Sequence, residues 1–210
     1  MNRREMMKAA GAATVLSALP VWAFAAAQED PYKWVLSMSN QVLDRIKSEP
    51  ALRNGDIPAI KKLVDELIMP NVDFTMVTRL TVGPKWRQAK PEQRQQLQDN
   101  FRELLIRVYS GALSKVKDHV CELAPVRNQK VQDEMVIRSQ LKSASAPAIA
   151  MDYRIYRNKA GEWKIVDVNV EGIWMVENYR TQFAGVLNQE GIDGLIAELK
   201  KRIAASSSAK

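Results

Sequence analysis

The sequence predicts an α+β fold, a curved four-stranded antiparallel sheet wrapped by helices, and three observations carry that prediction. Apolar residues recur at helical spacing over 32–116, switch to a period of two over 119–170, and return to helical spacing over 173–203. Helices first, strands in the middle and helices last segregate the two kinds of element, which leaves the sheet one covered face. With 210 residues and 46% apolar content, the chain is sized for one domain with its own core.

The elements follow in order. Val35, Met38, Val42 and Ile46 share one face of a first helix that stops near Pro50. Asp56 is the N-cap of a second helix, with Pro58 in its first turn; Ile57, Ile60, Val64, Leu67 and Ile68 form its stripe, and Pro70 ends it. A short third helix follows Asn71, with Val72, Met76 and Leu80 on one side and Gly83-Pro84 as the stop. The fourth starts at Pro91 and carries a wide stripe from Leu97 through Phe101, Leu104, Leu105, Val108 and Tyr109 to Val116. Strands are expected over 120–124, 134–142, 148–157 and 162–170, the last two joined by a hairpin around residues 158–161. In the third strand Met151, Tyr153 and Ile155 point one way and Asp152 and Arg154 the other. Two helices separated by Gly191 close the chain: one carries Ile173, Val176, Tyr179, Phe183 and Leu187, the next Leu195, Ile196, Leu199 and Ile203. There is no internal repeat.

Residues 1–27 read as an export signal, with a basic start, an apolar middle and Ala25-Ala26-Ala27 as the cleavage pattern. Arg3-Arg4 also resembles a twin-arginine signal, so both export routes stay open. The domain is expected over 28–204, with a flexible tail over 205–210. Arg3, Arg4, Lys8 and Glu5 account for +2 of the formal +7, leaving +5 on the mature chain. Those charges are interspersed with acids, as in QDNFRELLIR, which reads as a solvated mixed surface and not a nucleic-acid face. The single cysteine, Cys121, falls in the apolar phase of a strand and reads as a buried thiol.

Chemistry-bearing motifs are sparse. The one histidine, His119, stands beside Asp118 at a strand start, where a solvent-facing or capping role is expected. No HExxH, paired CxxC, GxGxxG or GxxxxGK[ST] occurs, so no metal, nucleotide or other cofactor is expected. Asp152, Asp167, Glu171 and Arg180 are candidates for a polar set near the end of the sheet. An enzyme using Asp167 or Asp152 with Tyr153 to move protons on a small apolar substrate is the alternative function, and it needs a carboxylate facing the interior. The long fourth helix and the two last helices offer more apolar face than four such strands require, which fits a hollow interior.

Two blocks carry a family resemblance: PNVDFTMVTRLTVGPKWRQAKPEQRQQLQDNFRELLIRVYSGAL and WKIVDVNVEGIWMVENYRTQFAGVLNQEGIDGLIAELK. They resemble the P-x-x-D-F…W…P-x-Q-R…F…LL…Y…AL and W-x-x-x-D-x-x-x-E-G…YR-x-x-F…G-x-D-x-L-I patterns of the MlaC, or toluene-tolerance, family of periplasmic phospholipid carriers. Two departures stand out: Thr81-Val82-Gly83 replaces the usual apolar-Leu-Gly, and Trp174 stands where serine is common, a large side chain expected at the pocket rim. The resemblance implies a sheet of the nuclear-transport-factor-2 or cystatin type and a periplasmic shuttle whose cargo is phospholipid. It also implies, as partners, an inner-membrane ABC transporter complex with a substrate-binding ring and an outer-membrane lipoprotein–porin complex, in a system that maintains outer-membrane lipid asymmetry. On this reading the lining is expected from Val72, Met76, Leu80, Leu105, Tyr109, Ile137, Met151, Tyr153, Val168, Ile173, Val176 and Phe183. The inward parity of the strands stays open between the odd set and Val136, Val166 and Val168. Arg79, Lys85, Arg87 and Lys90 around Pro84 are the candidate partner-docking residues.

Overall fold

The computed structural model describes residues 30–116, 118–125 and 130–208; the expected export signal, residues 1–27, lies outside them. Asp30 caps α1 (Pro31–Ser48), whose Trp34, Val35, Ser39, Leu43 and Ile46 are buried. A short α2 (Pro50–Arg53) leads to α3 (Ile57–Leu63), capped by Asp56 through Ala59 N at 2.8 Å. The second helix continues past Leu63 only by loosening into a π-helical stretch over Val64–Ile68 and a tight turn over Met69–Asn71. Then come α4 (Phe74–Val82), a 3-10 segment (Gly83–Gln88) and α5 (Pro91–Leu113).

One antiparallel sheet holds β1 (Val120–Leu123), β2 (Glu134–Lys142), β3 (Ile149–Arg157), β4 (Trp163–Val170) and β5 (Ile173–Trp174), in sequence order. The fifth strand corrects the expected count of four. Glu171 and Gly172 both take positive φ, 51° and 86°, the requirement of a tight two-residue hairpin turn, and they send the chain back along β4. Ile173 and Trp174 are therefore strand residues, and the next helix, α6 (Met175–Ser208), begins after them.

A bulge in β4 settles the parity question in an unforeseen way. Arg154 opposes Asp167 while Ile155 opposes Ile165, so Val166 is extra and the side-chain phase reverses there. The inner face is odd-numbered on β2 and β3, but on β4 it carries Trp163 and Ile165 before the bulge and Val168 and Val170 after it.

α6 is interrupted at Gly191, whose φ of 70° and ψ of −157° belong to glycine alone. No atom lies within 4 Å of a Cβ placed there, so Gly191→Ala meets backbone strain and nothing else. The expected cost is about 1–3 kcal/mol, read in thermal denaturation as a fall in Tm of roughly 2–12 °C. Where a flexible tail from residue 205 is expected, the helix runs on to Ser208, with Ser206 Oγ donating to Ile203 O at 2.7 Å.

His119 also departs from expectation. It is 2% exposed, because α1 crosses the start of β1: Asn40 and Cys121 exchange two hydrogen bonds, and Lys47 Nζ reaches His119 O at 3.4 Å. Cys121 is a buried free thiol.

Candidate functional site: an apolar seam open at one end of the sheet

A domain of this size ordinarily closes around one contiguous core. Among the described residues most of the buried apolar side chains fall into three clusters. One lies among α4, α5 and α6, around Phe101, Tyr179, Phe183 and Leu195. The second lies between α1 and the inner sheet face, around Trp34, Ile137, Tyr153 and Ile155. A third joins α1, α2, α3 and the far half of α5. The long helix α5 packs along α6 and touches α4, α3 and α2, but approaches the strands at isolated positions at most. Half-buried Leu105 borders the first cluster, Met151 and Val168 border the second, and Val72 borders both. Val72, which touches both clusters, marks the boundary, or seam, between the helical half and the sheet half.

The inner sheet face opens progressively. The row Met135, Ile155 and Ile165 is buried; in the next, Ile137 and Tyr153 are buried and Val168 is half-buried. In the row that crosses all five strands, Leu123, Ser139, Met151, Val170 and Ile173, exposure climbs to 36% at Val170 and 61% at Ile173. α1 covers one end of this face through Trp34 and Val35 and then leaves over β1, so the β3–β5 corner is uncovered. Val108 and Tyr109 of α5 are also exposed, and they line a cleft of about 410 Å³ with Asn178 and Tyr179 of α6, two turns or less beyond Ile173. A second cleft of about 410 Å³ lies at the closed end, among Val72, Asp73, Phe74, Arg102, Tyr156 and Lys164.

The closed end is held by one carboxylate. Asp73 Oδ1 accepts Met76 N at 2.8 Å as the N-cap of α4, Asp73 Oδ2 accepts Tyr156 OH at 2.5 Å, and Asp73 N donates to Ile165 O at 3.0 Å. Val72 beside it bridges Ile165 in parallel, which ties the helical half to β3 and β4.

Polar groups on the inner face are few and engaged: Ser39 Oγ donates to Tyr153 OH at 2.9 Å, and burial drives the Tyr153 pKa above its ordinary value. Of the carboxylates that proton-transfer chemistry would need, Asp152 stands opposite Arg138 and Asp167 opposite Arg154, both on the sheet face turned away from Tyr153, which is the outer face, and Asp167 is buried there at 4% exposure. Asp167 caps the start of α6, accepting Val168 N and Val176 N at 2.9 and 3.0 Å, with burial raising its pKa against those bonds and Arg154. Asp152, Asp167, Glu171 and Arg180 form no single acid/base cluster: Glu171 accepts Ala150 N at the strand-to-strand turn, and Arg180 donates twice to Leu80 O while its charge still acts on Asp167. Trp174 is likewise not at the rim. It pairs with Asn169 on the outer face, where the Arg154 guanidinium lies 4.6 Å from its ring centroid.

The twelve expected lining residues are distributed among these features. Ile137, Met151, Tyr153 and Val168 share the inner sheet face, Ile173 is on its lip, and Val72 and Leu105 border the seam. Leu80, Val176 and Phe183 belong to the helical core, Tyr109 to the α5–α6 cleft, and Met76 sits half-buried beside Arg79. Arg79 lies on α4, with Lys85, Arg87 and Lys90 along the following 3-10 segment and cap. Val170 and Val108 were not among the expected residues. Val108 lies in the readable stripe of α5, whereas Val170 changes face only through the bulge.

A family model described as MlaC protein matches residues 36–201. The chain belongs to the MlaC family. It is 25% identical over 189 residues to the intermembrane phospholipid transport system binding protein MlaC of Haemophilus influenzae, covering 89% of this chain and 88% of that one. The toluene tolerance protein ttg2D of Pseudomonas putida is 25% identical over 198 residues, with coverage of 91% and 90%. The solved phospholipid-binding protein from Ralstonia solanacearum, in complex with a phospholipid, matches with a TM-score of 0.80 and 37% identity over 85% of this chain and 99% of that one. Among the described residues no helix is long and apolar enough to cross a membrane, and no group of three or more metal-ligating side chains occurs.

Proposed function

We propose that this member of the MlaC family is a periplasmic phospholipid carrier, exported by its N-terminal signal, that holds acyl chains in the seam between sheet and helices. The observation that carries this reading is the exposed apolar pair Val170 and Ile173 beside half-buried Met151, at the uncovered corner of the inner sheet face; Val72, Leu105 and Val168 are the residues we assign to the walls of the seam. Its weight comes from the 37%-identical relative that was solved with a phospholipid. Ile137 and Tyr153 back the seam on the sheet side, and Leu80, Val176 and Phe183 back it on the helix side.

Burial of hydrocarbon gives roughly 0.8 kcal/mol per methylene, so two chains of about fifteen methylenes contribute on the order of 24 kcal/mol gross. Ordering and association costs offset part of that. None of it needs a directional group or a cofactor, in keeping with the few polar side chains on the inner sheet face. The same magnitude rules out release into water at a useful rate. Transfer therefore takes place on a docked partner: an outer-membrane lipoprotein–porin complex at one side of the periplasm, and an inner-membrane ABC transporter with its substrate-binding ring at the other. In this role the protein serves outer-membrane lipid asymmetry.

Native mass spectrometry of protein purified from the exported compartment without detergent tests the reading. A stoichiometric phospholipid adduct is expected. A reproducible ligand-free mass would overturn it.

A further inference from the structure

We infer that Lys85, Arg87, Lys90 and Arg94 form a rigid docking face for an acidic surface on a partner protein; this rests on the carrier reading above. Residues 85–94 hold these four cations against one carboxylate, Glu92. Arginines elsewhere are mostly ion-paired, as Arg45, Arg102, Arg107, Arg157 and Arg202 are. Among the described residues none of these four cations has such a pair. Asp193 of α6, which reaches the first turn of α5, is engaged by Gln93 Nε2 at 2.6 Å.

The base under these charges is fixed. Trp86 and Ala89 are buried in the helical core at 7% and 4% exposure, which locks the 3-10 segment while Arg87 and Lys90 stand exposed on either side. Arg94 lies 5.4 Å over the Trp86 ring and donates to Arg87 O at 3.5 Å. Lys90 N donates to Gln93 Oε1 at 2.9 Å at the start of α5. A preorganised array of like charges gives little affinity of its own but steers an oppositely charged face into register and speeds its arrival.

A protein surface fits better than a bilayer. Peripheral membrane binding joins cations to apolar residues that insert, and here no large apolar residue of 79–94 is exposed, the one tryptophan being turned into the core. The face and the mouth are built from different elements: the face from the α4–α5 junction, braced by Arg180 on Leu80 O, and the mouth from the β3–β5 corner.

The test uses the lipid-loaded mature protein and its triple variant Lys85→Glu, Arg87→Glu, Lys90→Glu. Arg94 is left intact because it packs on Trp86. Association is followed with the purified inner-membrane and outer-membrane transport complexes of the same bacterium, each in nanodiscs, and with vesicles containing about 30% anionic phospholipid. At about 50 mM salt the variant should associate at least ~10-fold more slowly with one or both complexes, with dissociation changed less than about twofold. Raising the salt should bring the wild type down to the variant's rate. Unchanged association with both complexes overturns the inference, as does loss of vesicle binding alone. Native mass spectrometry of the same samples reads the carrier proposal independently: lipid present with unaltered docking sinks the face alone, and lipid absent from the wild type sinks the carrier.

Discussion

Asp73→Ala is expected to destabilise the fold by about 3 kcal/mol, lowering Tm by roughly 6–12 °C for a domain of this size. Two losses combine. Removing an N-cap costs about 0.5–2 kcal/mol, and removing a hydrogen bond to a charged group about 1.5–3 kcal/mol; because both involve one side chain, they do not simply add. Asp73 supplies both, to Met76 N and Tyr156 OH, at the point where the helical half meets β3 and β4. Tyr156→Phe should remove only the second bond and so cost less than Asp73→Ala. It should also change the alkaline limb. The hydrogen bond donated to Asp73, then burial and the Asp73 charge, push the Tyr156 pKa up to about 12. A pKa raised in the folded state gives stability that is full below the ordinary value near 10 and is lost as pH climbs through about 12. Urea denaturation at pH 8 and pH 11 checks both statements: part of the wild-type loss between the two should be missing in Tyr156→Phe. An Asp73→Ala protein as stable as wild type would mean that this end is held by something else.

Val170→Asp with Ile173→Asp is expected to empty the carrier while leaving it folded. At 36% and 61% exposure the two side chains contribute little to the core, and surface substitutions of this kind usually stay within about 0.5 kcal/mol each. In the loaded protein the same two residues would cover hydrocarbon. Replacing them with carboxylates forfeits up to about 1.5–3 kcal/mol of apolar contact per residue and sets charge against acyl chain. Together these give a loss of retained phospholipid on the order of 100-fold. The readout is bound phosphorus per protein after detergent-free purification, with Gln140→Asp on the outer face as the control that keeps its lipid. Full lipid content in the double variant, at wild-type Tm, would remove the β3–β5 corner as the mouth.

The positions of the long elements were readable locally because each has a period that one-sided burial imposes. The α5 stripe and the alternation of β2 and β3 emerge in the structure within a residue or two of their expected bounds at most ends. The second helix was only half readable. Its stripe continues through Leu67 and Ile68, but Arg45 and Arg102 reach Glu66 and Asp65 from two other helices, and the backbone there is π-helical. Two residues are too few to show a period, so β5 was absorbed into the helix that follows it. His119 looked exposed beside Asp118 because nothing in its neighbourhood announces that α1 will cross above it.

The sequence by itself determined the order of helices and strands, the curved one-sided sheet, the family, and the absence of recognisable catalytic motifs, all of which depend on residue type and spacing along one segment. Only the tertiary structure decided which face of β4 looks inward, where the shell is pinned and where it stands open. The bulge at Val166 turns the phase of a strand against its neighbour, Asp73 gathers partners that come from α4, β3 and β4, and the corner at Val170 and Ile173 is uncovered because α1 leaves over β1. Each of these is a relation between distant segments, and a periodicity within one segment carries no record of it.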